Sequence, residues 1–199
     1  MTPLKADATP EQPPRRLLVG VSGSVAALTL PLYLNTFRMA GVEEIRVVLT
    51  PSAEKFVSPA ALRLICEEVA TEHDHGSGHV ALARWADRVL VLPATAHLLG
   101  CLANGLAPNL LSTLLLAHTR PVVLAPAMNP VMWQSTPVRR NVGQLRADGH
   151  IVVEPVPGTA YEVASRSLRP SLIVPPPEQL LLWVCEPGQA LPTEPVVVP

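Results

Sequence analysis

The chain has 199 residues, 48% hydrophobic and 16% charged, with a formal net charge of -1. Such a balance excludes a disordered polymer, which needs low hydropathy and high charge, and at this length one domain suffices. With Lys5 and Lys55 as the only lysines, no basic cluster offers the counterion release that nucleic-acid binding uses, so no nucleic acid is expected. The longest apolar runs, such as residues 110–117, are interrupted by Ser112 and Thr113 and fall short of a membrane span, so no membrane partner is expected either. Cys66, Cys101 and Cys185 are odd in number and far apart. They give neither a disulfide framework nor a CxxC metal site, which suits a reducing cytoplasm.

Taken in chain order, residues 1–14 carry four prolines and no apolar stretch, so they read as a tail rather than a signal peptide. Residues 16–21 form the first short β-like run, followed by Gly20-Val21-Ser22-Gly23-Ser24-Val25-Ala26-Ala27. The two glycines permit a sharp turn, and the helix expected over 24–40 would offer free N–H groups to a phosphate. Alone, such a turn serves as a tight βα connection as often as a phosphate site. Ser22 stands where a GxGxxG motif would have its second glycine. The second strand, 45–49, ends at Thr50-Pro51-Ser52, with hydroxyls and no carboxylate for a ribose diol. Dinucleotide binding of the NAD type is therefore disfavoured.

A helix is expected over 59–69, with Ser58 as N-cap and Pro59 at its first position. Strand 89–92 runs into Pro93-Ala94-Thr95-Ala96-His97, helix 109–118 follows, and strand 122–125 leads into Pro126-Ala127-Met128-Asn129-Pro130-Val131-Met132-Trp133. Taken by itself, that last segment reads more readily as core residues at a helix start than as a site. Strand 151–153 is the last, and residues 186–199 alternate proline with small and apolar residues as a C-terminal tail. Twelve of the 23 prolines fall in residues 1–14 or from Pro170 onward.

Short buried strands alternating with helices predict an α/β fold, a doubly wound, Rossmann-like (flavodoxin-like) parallel sheet flanked by helices, as one domain over 15–185. Ligands of such sheets sit at the carboxyl ends of the strands, where the polar turns lie.

Together the turn at 20–27, the segment His79-Val80-Ala81-Leu82-Ala83-Arg84-Trp85-Ala86-Asp87, the stretch 93–97 followed by Leu102-Ala103-Asn104-Gly105, and 126–133 resemble the homo-oligomeric flavin-containing cysteine decarboxylases. This family includes phosphopantothenoylcysteine decarboxylase and the epidermin-type peptidyl-cysteine decarboxylases. The last segment matches the family pattern PxMNxxMW in full. The resemblance implies FMN, with FAD as the alternative, held by Ser22, Gly23, Ser24, Val25, Thr50, Ser52, Thr95, Ala96, His97, Leu98, Ala127 and Met128. It implies His79 and Asn129 as catalytic residues, and Asn104, Asn129, Met132 and Tyr161 as substrate contacts. It further implies a homotrimer, possibly a dodecamer. A flavin lets cysteine lose CO2 by first oxidising its side chain toward a thioaldehyde. An imidazole suits removal of the thiol proton, and a neutral amide orients a carboxylate without adding charge.

Two departures stand out. Where family members usually read PASANT, this chain has Pro93-Ala94-Thr95-Ala96-His97-Leu98, so His97 replaces an asparagine. Phosphopantothenoylcysteine decarboxylases carry a flap cysteine that reprotonates the enethiolate. Here the corresponding stretch is Gly158-Thr159-Ala160-Tyr161-Glu162. Without that acid the product should remain an enethiol, as in formation of aminovinyl-cysteine rings from ribosomal precursor peptides with a C-terminal cysteine. The flap, roughly 155–170, is then expected to clamp the peptide, with Tyr161, Arg166 or Arg169 as contacts. Alternatives are the phosphopantothenoyl substrate, a flavin prenyltransferase, and a non-catalytic flavin-binding regulatory subunit. Intact His79 and Asn129 speak against the last. The spacing of His73, Asp74, His75 and His79 permits a metal, yet the interruption at 76–78 reads as a loop of solvated histidines, and none is expected.

Overall fold

In the computed structural model, which describes residues 12–73, 78–162 and 165–185, strand β1 (Arg16–Val21) lies at the centre of a six-stranded parallel sheet. Its alternate residues serve two cores. Leu17, Val19 and Val21 face one side and Leu18 the other, so an unbroken apolar run is what a strand covered on both faces requires. The other strands are β2 (Glu44–Leu49), β3 (Glu68–Ala70), β4 (Arg88–Ala94), β5 (Val122–Pro126) and β6 (Ile151–Val152). Their order is β3-β2-β1-β4-β5-β6. The winding reverses between β1 and β4, and a ligand crevice belongs at their carboxyl ends.

One face is covered by α1 (Leu30–Met39), which buries Leu30, Tyr33, Leu34 and Phe37 at helical spacing. The other carries α3 (His79–Trp85), α4 (Ala96–Ala103), α5 (Leu110–Ala117) and α7 (Thr136–Ala147). Short helices α2 (Pro59–Leu62) and α6 (Pro130–Gln134) follow β2 and β5. An antiparallel hairpin, β7 (Val156–Glu162) and β8 (Ser167–Ile173), forms its own two-stranded sheet before α8 (Pro177–Cys185).

The expected doubly wound sheet is present, with three local corrections. The helix expected over 24–40 begins as a 3-10 turn, Val25–Thr29, and becomes α-helical at Leu30. Ser58 caps α2 as expected, accepting from Ala61 N–H, but the helix ends at Leu62 and residues 68–70 are strand. Glu67 decides this. Its backbone N–H donates to the Ile45 carbonyl and its carboxylate accepts from Ile45 N–H, 2.6 Å away, and binds Arg38. The chain is thereby drawn onto the free edge of β2. Third, the prolines at 170 and 175–177 belong to the fold. Pro170 sits on a two-stranded hairpin, the Pro175 carbonyl accepts from Tyr33 OH at 2.8 Å, and Pro177 opens α8. Residues 1–11 and 186–199 of the expected tails lie outside the described residues.

Candidate active site

The carboxyl ends of the central strands are joined by a row of hydrogen bonds. Thr50 N–H donates to the Val21 carbonyl (3.0 Å), Ser22 N–H to Pro93 (3.2 Å) and Ala127 N–H to Ala94 (3.0 Å). The Ser22 hydroxyl donates to the Pro93 carbonyl (2.8 Å), accepts from Thr95 N–H (2.9 Å) and lies 3.1 Å from Thr95 Oγ1. Ser22 thus uses its buried side chain to close the gap at the switch point. Thr95 in turn caps α4 by accepting from Leu98 N–H. These bonds set Thr50, Ser22, Thr95 and Ala127 in sequence along one rim.

Gly23 has a requirement that its φ does not explain. A Cβ there would stand 2.5 Å from Ser52 Cβ and 2.9 Å from its backbone carbon. Only glycine lets the two loops meet, and their meeting carries the exposed Ser52 hydroxyl to the start of the 3-10 turn. Ser24 caps that turn, its Oγ accepting from Ala26 N–H. Among the described residues, the N–H groups of Gly23, Ser24 and Val25 take no protein partner. Three uncommitted N–H donors beside the hydroxyls of Ser52 and Thr50 form a neutral donor set that fits a phosphate. Just beyond β4 and β5 stand the small side chains of Ala96 and Ala127.

His79 is the first residue of α3, half-buried, with Gly78 as N-cap. Helix α3 packs against α5, whose Leu111 lies under Gly20 at the end of β1, where a Cβ would be 2.5 Å from Leu111 Cδ1. The N-terminus of α5 is fixed by a capping box between Asn109 and Ser112, and Glu72 just beyond β3 accepts from Leu110 N–H at 2.8 Å. Both flanks of the segment leading to His79 are therefore tied to α5.

Asn129 caps α6, its Oδ1 accepting from Met132 N–H at 2.8 Å. This occupies the acceptor and leaves the Nδ2 donors without a protein partner among the described residues. In PxMNxxMW the roles divide: Trp133 is buried, with the Arg139 guanidinium 5.1 Å from its ring centre, Met128 packs against the core, and Met132 is exposed.

Tyr161 is exposed on β7, opposite Leu168 of β8. Arg166, at φ 50°, makes the turn into β8, and Arg169 Nε donates to Ser167. The anticipated flap is this hairpin. Asn104 is not brought to the rim within the chain. It ends α4, its amide donating to the Gly100 carbonyl at 2.8 Å, about 12 Å along the helix from Thr95. Of the candidate metal residues, Asp74 and His75 lie outside the described residues, and no metal-binding group of three side chains occurs among those described. Sequence reading missed the contact of Cys101 Sγ with His97 Nε2 at 3.6 Å, although the i, i+4 spacing on a helix was visible. It also missed Glu72.

A model of the Flavoprotein family matches residues 5–167. Mersacidin decarboxylase of a Bacillus species is 40% identical over 173 residues, covering 85% of this chain and 89% of that protein. Its structure, MrsD, superposes with a TM-score of 0.73 at 94% coverage of that chain. EpiD in complex with its substrate peptide DSYTC is 25% identical with a TM-score of 0.80, covering 85% of this chain and 97% of that one. The FMN-dependent cysteine decarboxylase TvaF, from thioviridamide biosynthesis, is 41% identical with a TM-score of 0.67, covering 70% and 90%. The bifunctional coenzyme A biosynthesis protein CoaBC of Bacillus subtilis is 39% identical over 150 residues, 72% of this chain but only 37% of that protein. With its rim of small and hydroxylated residues at the β1–β4 switch point, and with these relatives, the chain belongs to the flavoprotein family, among its cysteine decarboxylases.

Proposed function

We propose that the chain is an FMN-dependent peptidyl-cysteine decarboxylase that converts the C-terminal cysteine of a ribosomally made precursor peptide to an aminoenethiol, the precursor of an aminovinyl-cysteine ring. The observation that carries the reading is the neutral donor set where Gly23 abuts Ser52, together with a flap that has no cysteine. Similarity to mersacidin decarboxylase and to EpiD with its peptide supports it.

Gly23, Ser24, Val25, Thr50 and Ser52 would hold the phosphate end of FMN, and Thr95, Ala96, His97, Leu98, Ala127 and Met128 the ring end. When bound, FMN would supply a two-electron acceptor, so that the cysteine side chain can reach the thioaldehyde level and CO2 can leave while the electron pair of the broken C–C bond stays on the substrate, delocalised onto sulfur. His79 takes the thiol proton. Asn129, its Oδ1 committed to Met132, turns Nδ2 donors to the substrate carboxylate, orienting it while leaving its departure unhindered by a fixed cation. Tyr161 and Met132, both exposed, contact the peptide. The hairpin residues Gly158, Thr159, Ala160 and Tyr161 hold no thiol to return a proton to the enethiolate carbon, which favours the peptide reading over phosphopantothenoylcysteine. We further propose a homo-oligomer, a trimer that can assemble to a dodecamer, working in the cytoplasm. No helix among the described residues is long and apolar enough to cross a membrane.

The test is incubation of the purified yellow protein with peptides ending in cysteine, read by mass spectrometry. A loss of about 46 mass units, CO2 plus two hydrogens, supports the proposal. Loss of CO2 alone, and only from a pantothenoyl substrate, overturns it.

A further inference from the structure

Helix α4 holds a pair of which the proposed function uses His97 and leaves Cys101 unused. His97 is exposed and Cys101 is buried at 6% exposure, and Sγ stands 3.6 Å from His97 Nε2. The residue types and their i, i+4 spacing let a thiol from below meet a ring from above. A thiol S–H is a weak donor and its sulfur a weak acceptor, and a neutral imidazole has one N–H nitrogen and one acceptor nitrogen. Burial pushes the Cys101 thiol up, which favours the S–H form. With S–H as the donor, Nε2 accepts and Nδ1 carries the ring proton. Nδ1, the nitrogen nearer the backbone, has no protein partner among the described residues. It belongs to the second residue after Thr95, whose Oγ1 sits 3.1 Å from Ser22 at the switch point.

We infer that Cys101 and His97 act as a unit at the end of the flavin crevice: Cys101 S–H donates to His97 Nε2, holding the ring in its Nδ1–H form, so that His97 offers a single N–H donor to the flavin ring where most members of the family place an asparagine amide. Cys101 is a positioning residue in this scheme and acts only through His97. The inference rests on the proposed flavin site for what the donor meets. The tautomer itself does not depend on that site.

The holoenzyme, labelled with 15N-histidine, tests the first half. Proton–nitrogen correlation spectra, assigned with a His97→Asn variant, should show the His97 ring protonated on Nδ1 in the wild type. Cys101→Ala should give a mixture dominated by Nε2–H, and Cys101→Ser, which keeps a donor, should restore Nδ1–H. A wild-type ring protonated on Nε2, or the same tautomer in Cys101→Ala as in the wild type, overturns the inference. FMN titrations test the second half. His97→Asn should bind FMN as the wild type does, His97→Leu about fivefold more weakly, and Cys101→Ala about twofold more weakly, as the loss of one neutral hydrogen bond predicts. Equal affinity and an unchanged flavin absorption spectrum in His97→Leu also overturn it. A wild-type protein that binds no flavin would overturn the proposed function and leave the tautomer measurement standing.

Discussion

At the carboxyl rim Ser22 and Thr50 are 3% and 5% exposed, whereas Tyr161 and Leu168 on the β7–β8 hairpin are 52% and 71% exposed. Rim residues are held by hydrogen bonds to two neighbouring strands and by a glycine that no other residue can replace without displacing Ser52. Among the described residues the two strands of the hairpin pair only with each other. A cofactor that stays bound gains from donors fixed in advance, because no ordering cost is met at binding. A peptide that must enter and leave is better met by a projecting element, whose exposed side chains can be changed without disturbing the sheet. On this difference rests the proposal that the rim does the chemistry and the hairpin the selection.

Substitutions can break that division. The largest effect should come from His79→Ala, with turnover reduced by about 10²–10⁴-fold, the range for loss of a general base. The flavin spectrum should be retained, and a fully active variant would refute the role of His79. Next comes Gly23→Ala, whose Cβ must push Ser52 backbone and side chain aside. Overpacking of this kind costs about 1–3 kcal/mol. It should appear as weaker FMN binding by tenfold or more in a fluorescence titration, with the fold kept by circular dichroism. Ser22→Ala leaves Thr95 N–H without its acceptor and should lower stability by about 1–3 kcal/mol, read as a fall in Tm together with loss of FMN. Tyr161→Ala should raise KM for the peptide by roughly fivefold, the worth of about 1 kcal/mol, with Tm, kcat and flavin affinity unchanged. A change in flavin affinity there would erase the distinction between the two regions.

The smallest effect belongs to neither region. His118, on the loop before β5, donates Nδ1–H to the Ala83 carbonyl and buries Nε2 without a partner among the described residues, and burial pushes its pKa down. Burial also lowers that of His150, which accepts from Val122 N–H. Below the unfolded histidine value of about 6.5 the unfolded chain binds more protons than the folded one, so stability is full above that pH and is lost as pH falls through the depressed folded values. His118→Gln should flatten this slope in urea denaturation between neutral and mildly acidic pH, with flavin affinity unchanged at pH 7. An unaltered slope would show that His118 does not contribute to it.

The sheet was legible because burial on both faces demands unbroken runs of Val, Leu and Ile, as in residues 16–21 and 122–125. The polar turns after the strands were legible for the complementary reason, since hydroxyls and glycines interrupt the apolar runs at the strand ends. Strand β3 was not, because nothing within residues 68–70 distinguishes an edge strand from a helix end. It exists because Glu67 binds Ile45 and Arg38, more than twenty residues away. That Asn104 stands at the far end of α4 from Thr95 was not legible either, because a motif read along the chain carries no sign of which end of a helix faces the crevice.

By itself the sequence determined which residues could be buried, which turns needed glycine or a hydroxyl, and that the flap holds no thiol, because these depend on residue type and near-neighbour spacing. Only the tertiary structure decided that Gly23 must be glycine for the sake of Ser52, that Asn129 gives its oxygen to Met132 and keeps its amide donors, and that Cys101 meets His97. Each of these is a contact of a few ångströms, two of them within one turn of a helix and one between separate loops. Whether a polar atom is already committed is a property of the folded neighbourhood, not of the residue that carries it.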